Sequence, residues 1–285
     1  MRHLILFCSL LSSMAWAQGP LDRGNYETWL SAKIIGNGQD LIFIPGYGCR
    51  GEVWEETAQA LAGQYRCHLL TLHQFEGELG PDTALLEGTL NALWDYCQQE
   101  AATPILVGHS IGGFLSLAVA ARYPEGFEAL VSVDALPYLA AAWSPNPQQM
   151  DPAQAAGQYQ AMDSATFANT AFQAARTMVS NEDDAHWVAN WAQEADRQAY
   201  GYLFAEFYNT DLRDSLNHVA CPTLSMVARG MGEASTMAIW KGQYAQLPQV
   251  TFAYHPEALH FIMLDDPDWF LSHLQTFLKS HAPTN

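Results

Sequence analysis

Short apolar runs recur along this chain, and each is followed by a stretch whose apolar residues return at helical spacing. Asp40-Leu41-Ile42-Phe43-Ile44, Cys67-His68-Leu69-Leu70-Thr71-Leu72, Pro104-Ile105-Leu106-Val107 and Ala129-Leu130-Val131-Ser132-Val133 read as strands, with little of the alternation that a half-exposed strand would show. Strands of that kind are buried on both faces, as in a parallel sheet covered by helices. Between them, residues 53–61 have helical composition, residues 83–99 carry Leu86, Leu90, Leu93, Trp94 and Cys97 at helical spacing, and residues 111–122 form a third helical segment. An earlier run, Ala32-Lys33-Ile34-Ile35, is separated from the Asp40 run by Gly36-Asn37-Gly38, a strand–turn–strand signal. Towards the C-terminus, 221–227 and 250–254 predict strands, and 236–247 and 268–278 predict helices. The alternation predicts an α/β fold: a mostly parallel, doubly wound sheet with helices on both faces.

Two segments break this pattern. From Pro137 to Leu212, Pro145, Pro147 and Pro152 precede Ala- and Gln-rich helical stretches with no strand, dense in aromatic residues. They predict an all-helical lid inserted into the sheet domain, although aromatics at helical spacing belong mostly to a core. At the other end, Arg2, the apolar run from Leu4 to Leu11 and Ala15-Trp16-Ala17 have the charge, hydrophobicity and small-residue cleavage site of an export signal. The expected organisation is therefore a signal peptide over 1–17, the first part of the core over 18–136, the lid over 137–212 and the second part of the core over 213–285. Export to the periplasm or the extracellular space follows as an expectation.

Composition changes this picture in two respects. Thirty Asp and Glu against twelve Lys and Arg leave a net charge of −18, which repels polyanions and argues against nucleic acid or an anionic membrane surface as a partner. No apolar stretch after the signal reaches the length of a membrane span, about 18 residues. Of the cysteines, Cys49, Cys67, Cys97 and Cys221 remain after the signal. An even count in an exported chain permits disulfides, free buried thiols are equally compatible, and the pairing stays open. Their spacing matches no zinc pattern, so no metal is expected. Oligomeric state is not legible.

The chemistry centres on Gly108-His109-Ser110-Ile111-Gly112, which lies directly between a predicted strand and a predicted helix. A serine on so sharp a turn is forced into a strained backbone conformation that lifts its hydroxyl clear of the sheet, and small neighbours are needed to make room. The free N–H groups of the following helix point at any negative charge formed there. The glycine-rich Pro45-Gly46-Tyr47-Gly48 loop follows another strand, and the N–H groups of Tyr47 and Ile111 are candidates for an oxyanion hole. A serine nucleophile needs a base. His109 occupies the position beside the serine and is expected to point away from its hydroxyl. His68, His73, His186, His218, His273 and His281 lack a strand-end context and read as structural or solvated. His255 and His260 both lie in the loop after the 250–254 strand.

Taken together, Pro45-Gly46-Tyr47, Gly108-x-Ser110-x-Gly112 and His260-Phe261…Asp265…Pro267…Phe270 resemble the α/β-hydrolase superfamily, in the order in which that family shows them. The resemblance covers the chain after the signal except for the lid, which is similar only in position and helical character. It implies Ser110 as nucleophile, His260 as general base and Tyr47 with Ile111 as oxyanion donors, with no cofactor. The loop opens Pro45-Gly46 where the family most often has His-Gly. The acid departs from the commonest pattern. The family usually places an Asp in the loop after the strand ending at Val227, but here the loop reads Ala228-Arg229-Gly230-Met231-Gly232-Glu233. Some members carry the acid at the end of the preceding strand, where Asp134 stands. Asp134 is the favoured candidate and Glu233 the alternative.

The resemblance thus implies a secreted serine hydrolase of the carboxylesterase kind, cleaving a small, uncharged or weakly polar ester, thioester, lactone or amide. A carbon–carbon bond hydrolase, a cofactor-free haloperoxidase, an aminopeptidase and a non-catalytic ligand-binding protein remain as alternatives. Serine rather than aspartate at position 110 argues against the dehalogenase and epoxide-hydrolase branches.

Overall fold

A computed structural model describes residues 26–76 and 84–281; the expected signal at 1–17 lies outside them. Seven strands, β1 (Leu30–Gly36), β2 (Gln39–Ile44), β3 (Tyr65–Leu72), β4 (Ile105–His109), β5 (Ala129–Val133), β6 (Thr223–Val227) and β7 (Val250–Tyr254), form one sheet in the order β1-β3-β2-β4-β5-β6-β7. Among the described residues, only β1 runs antiparallel to its neighbour and every other pair is parallel.

The strand–turn–strand signal at Gly36-Asn37-Gly38 marks a turn, but the strands it joins are not neighbours. β3 lies between them, antiparallel to β1 and parallel to β2. The reason is burial. Seven of the eight residues of β3 are buried, so it takes a place inside the sheet, whereas Ser31 to Ile34 of β1 are exposed and suit only an edge.

Alternate residues of β2 feed two cores. Ile42 and Ile44 join Leu106 and Leu130 under α2 (Leu85–Glu100) and α3 (Ile111–Arg122), through Leu86, Leu93, Leu115 and Val119. Leu41 and Phe43 join Val107 and Val131 under α1 (Glu55–Leu61) and the C-terminal helix, through Ala58, Leu61, Phe270 and Leu274. Burying each such large side chain stabilises the fold by about 1.5–3 kcal/mol.

Between β5 and β6 the described elements are helical: α4 (Pro152–Gln160), α5 (Ser164–Ala175), α6 (Glu182–Glu194) and α7 (Arg197–Asn209), besides short 3-10 turns. Each starts on an Asx cap: Asp151 accepts from the Ala153 and Gln154 N–H groups, Asp163 from Thr166, Asn181 from Asp183 and Asp184, and Asp196 from Ala199. Such caps stabilise a helix by about 1 kcal/mol each. After β6 comes α8 (Glu233–Gln243), shifted towards the N-terminus from the expected 236–247. Its first residue is Glu233, an acidic side chain in the first turn, where the helix dipole favours negative charge. It stops early because Tyr244 turns inward, where its hydroxyl meets Ser132 Oγ at 2.9 Å and donates to the Ala135 carbonyl at 2.8 Å. A short α9 (Ile262–Asp265) precedes α10 (Pro267–His281), which is longer at both ends than the expected 268–278.

At the opposite end of the strands from their carboxyl termini, His68 of β3 is fully buried, with Nδ1 2.7 Å from the Tyr96 hydroxyl and Nε2 3.0 Å from Asp40. Burial pushes this imidazole below its ordinary value and Arg66 adds to the effect, against the opposing pull of Asp40 and Glu100. Below about pH 6.5 the unfolded chain therefore binds a proton that the folded chain resists. The stability that depends on neutral His68 is present above that pH and lost as pH falls. Measured as the drop in Tm between about pH 7.5 and about pH 5.5, the acid sensitivity of the wild type should exceed that of His68→Gln.

Candidate active site

The parallel ladder continues one residue beyond three strands. Ser110 N–H donates to the Val133 carbonyl at 2.9 Å, Asp134 N–H to Met226 at 2.8 Å and His255 N–H to Val227 at 2.8 Å. The residues just after β4, β5 and β7 are thereby fixed by neighbouring strands, along the carboxyl edge of the sheet where ligands of such folds bind.

Ser110 has φ 55° and ψ −121°, outside the regions open to ordinary residues. Close backbone packing holds it there. A Cβ on Gly108 would stand 2.2 Å from the Gly112 carbonyl oxygen, and one on Gly112 would stand 2.3 Å from that of Ile44. The first bond of α3 runs from Phe114 N–H to the Ser110 carbonyl at 3.1 Å, so Ile111, Gly112 and Gly113 sit in the first turn, where N–H groups have no intrahelical acceptor. Across from them, a Cβ on Gly46 would be 3.5 Å from Ser110 Cβ, which brings the Gly46–Tyr47 peptide against the serine. The Tyr47 side chain points into the helical insertion, its hydroxyl donating to the Tyr200 carbonyl and its ring 4.3 Å from that of Tyr200. Burial keeps this phenol protonated, its value well above the ordinary one.

Asp134 adopts φ 44°, a left-handed conformation that Asp tolerates better than most residues. One carboxylate oxygen accepts from the Ala228 N–H at 2.9 Å, and the other lies 2.6 Å from His260 Nδ1. The pair is largely shielded, with side-chain exposures of 11% for Asp134 and 25% for His260. Glu233, the alternative acid, is exposed in the first turn of α8.

The other histidines near this edge are occupied. His109 is fully buried, its ring 4.5 Å from those of His260 and Phe261. Its Nε2 donates to the His260 carbonyl at 3.0 Å, so Nε2 carries the proton. Burial, reinforced by nearby His260, holds it well below the ordinary imidazole value, and it stays neutral. His255 accepts the Glu257 and Ala258 N–H groups on Nδ1, at 3.1 and 2.8 Å, and faces Asp266 with Nε2 at 3.1 Å. Its one lone pair is spent on bracing the loop; His109 Nδ1 has no partner but is buried beside Gly46, whereas the His260 ring is partly exposed. His73, expected away from any strand end, directly follows β3; its Nδ1 lies 3.1 Å from the Thr28 carbonyl.

Sequence reasoning missed the bracing roles of His109 and His255. Two polar residues flanking the motifs were the only signal. Cys49, Cys67, Cys97 and Cys221 are all free and buried, and burial pushes the Cys49, Cys67 and Cys221 thiols up to about 12. Among the described residues, no helix is long and apolar enough to cross a membrane.

Residues 41–273 match the alpha/beta hydrolase family. A pimeloyl-acyl-carrier-protein methyl ester esterase from Vibrio cholerae is 34% identical over 112 residues, which is 39% of this chain and 43% of that protein. The corresponding esterase from Aeromonas salmonicida is 27% identical over 266 residues, covering 88% of this chain and 96% of its own. Among solved structures, an esterase from Thermogutta terrifontis superposes with a TM-score of 0.74 at 18% identity, over 89% of this chain and 94% of that one. An enol-lactonase from Burkholderia xenovorans gives 0.71 at 17% identity, over 88% and 96%. At these identities the superpositions speak for the fold.

The serine turn should tolerate no added side chain. Gly108→Ala should lower stability by about 3 kcal/mol or more, since neither backbone it would strike can retreat, and thermal melts of the soluble fraction would register the loss.

Proposed function

The chain belongs to the alpha/beta hydrolase family, and from that premise we propose that it is a secreted serine hydrolase opening a small, neutral or weakly polar ester through an acyl-enzyme on Ser110. The observation that carries the reading is the 2.6 Å contact between His260 Nδ1 and Asp134, at the edge of the sheet that also presents Ser110 on its strained turn. With Nδ1–H donated to Asp134, His260 Nε2 is left as an acceptor.

In the first step Nε2 takes the hydroxyl proton as Ser110 Oγ attacks the substrate carbonyl. The N–H groups of Ile111 and Tyr47 stabilise the oxygen that becomes negative, worth about 3 kcal/mol per donor. Asp134 holds the imidazole's tautomer and stabilises its charged form, and His260 returns the proton to the leaving alcohol. Water then attacks the acyl carbon as His260 takes its proton, and that proton passes to Ser110 Oγ as the acyl–serine bond breaks and the acid leaves.

Relatives named for a methyl ester support an oxygen ester. Charge supports a neutral substrate. Between Pro152 and Asn209 the only Lys or Arg residues are Arg176 and Arg197, against seven Asp and Glu, in a chain of net charge −18. The helical insertion reaches the Tyr47 loop through Tyr200 and is proposed as the lid that shapes the acyl and alcohol sites. Export rests on Arg2, the Leu4 to Leu11 run and Ala15-Trp16-Ala17.

A chain-length series of p-nitrophenyl esters tests this reading. Ser110→Ala should reduce turnover to background and remove the single adduct formed with an organophosphonate, seen by intact mass. Asp134→Asn should lower kcat by about 10⁴-fold and Glu233→Gln by less than about twofold. A wild type that neither turns over esters nor takes the adduct would instead indicate a ligand-binding protein on this fold.

A further inference from the structure

The loop that carries His260 is held from the helical insertion as well as from the sheet. Between α5 and α6, the segment Met178-Val179-Ser180 runs alongside it. The Met178 carbonyl accepts the Phe261 N–H at 3.1 Å. Val179 is 3% exposed and packs in the same core as Phe261. Asp265 Oδ1 accepts both the N–H and the hydroxyl of Ser180, each at 2.8 Å, while its Oδ2 accepts the Leu259 N–H at 2.7 Å. The backbone N–H groups on either side of His260 are therefore both committed, one to the insertion directly and one to a carboxylate that the insertion anchors. At its other end the insertion holds the opposite half of the site, through Tyr47 on the Tyr200 carbonyl and Arg50 beside Glu194.

We propose that Ser180 and Asp265 are positioning residues that clamp His260 into register with Asp134, so that the base is competent only while the α5–α6 connection is docked. The proposal rests on reading His260 as the base of a serine hydrolase. Its physical content is that a 2.6 Å hydrogen bond across 126 residues of sequence tolerates little displacement. The clamp meets the loop on both sides of the histidine, where a small shift of either peptide moves the ring. The charged and titratable groups facing His260 are Asp134 and His109, and Asp184 lies near Asp265.

The test is kinetic, on the mature protein, with the best ester of the chain-length series. Ser180 is exposed, so Ser180→Ala should fold. It should lower kcat about 10-fold with KM within about twofold. Ser180→Thr, which keeps the hydroxyl, should restore kcat, and Asp265→Asn should exceed the Ser180→Ala loss. Wild-type kcat in Ser180→Ala would overturn the clamp. So would a loss of kcat that KM shares or that Ser180→Thr does not restore, because a merely structural role would give that pattern. A wild type without Ser110-dependent turnover would overturn the hydrolase reading itself and the clamp with it, a result distinct from an active wild type matched by its variants.

Discussion

Everything at the candidate site depends on one backbone conformation. Ser110 is held at φ 55° between a strand and a helix, and nothing in its own chemistry favours that state. What imposes it is contact between backbones, since Gly108, Gly112 and the Ile44 carbonyl approach so closely that no Cβ fits between them. The same contact fixes where α3 begins and thus where its free N–H groups point. It also draws the Gly46–Tyr47 peptide towards the serine. The serine turn, the start of α3 and the Tyr47 loop are in this sense one packing event, supported by the doubly covered β2 and β4.

The second organising influence is the low-dielectric surroundings of His260. His109 lies fully buried and neutral beneath His260, so it supplies a hydrogen bond to the loop without adding a competing charge. Asp134 is oriented by the Ala228 N–H, which leaves its second oxygen to face the imidazole. His255, braced by two backbone N–H groups, shapes the same loop from the other side. Three histidines within one small region thus have different chemistry. The difference lies in which of their nitrogens are already engaged.

The helical insertion is tied to the sheet at two places. Its Asx-capped helices touch the Gly46–Tyr47 loop at Tyr47 and the His260 loop at Phe261 and Asp265. A segment that touches both halves of a candidate site can align them with each other, which neither half of the sheet can do alone.

Much of this was written in local pattern. Fully apolar runs gave the strands because burial on both faces leaves no polar alternation, and Gly108-x-Ser110-x-Gly112 marked the turn because only glycine permits that approach. The His260 loop was found through its resemblance to known hydrolases. What the sequence could not decide were the pairings between distant segments. β3 entered between β1 and β2 because its residues are buried almost throughout, while those of β1 are exposed and suit an edge. Asp134 rather than Glu233 came to face His260 because the end of β5 lies beside the end of β6, while Glu233 was drawn to the exposed start of a helix. Ser180 and Asp265 met across the boundary of the insertion. Periodicity and turn chemistry act over a few residues and can be read one segment at a time, but these contacts exist only once the sheet has set the order of its strands.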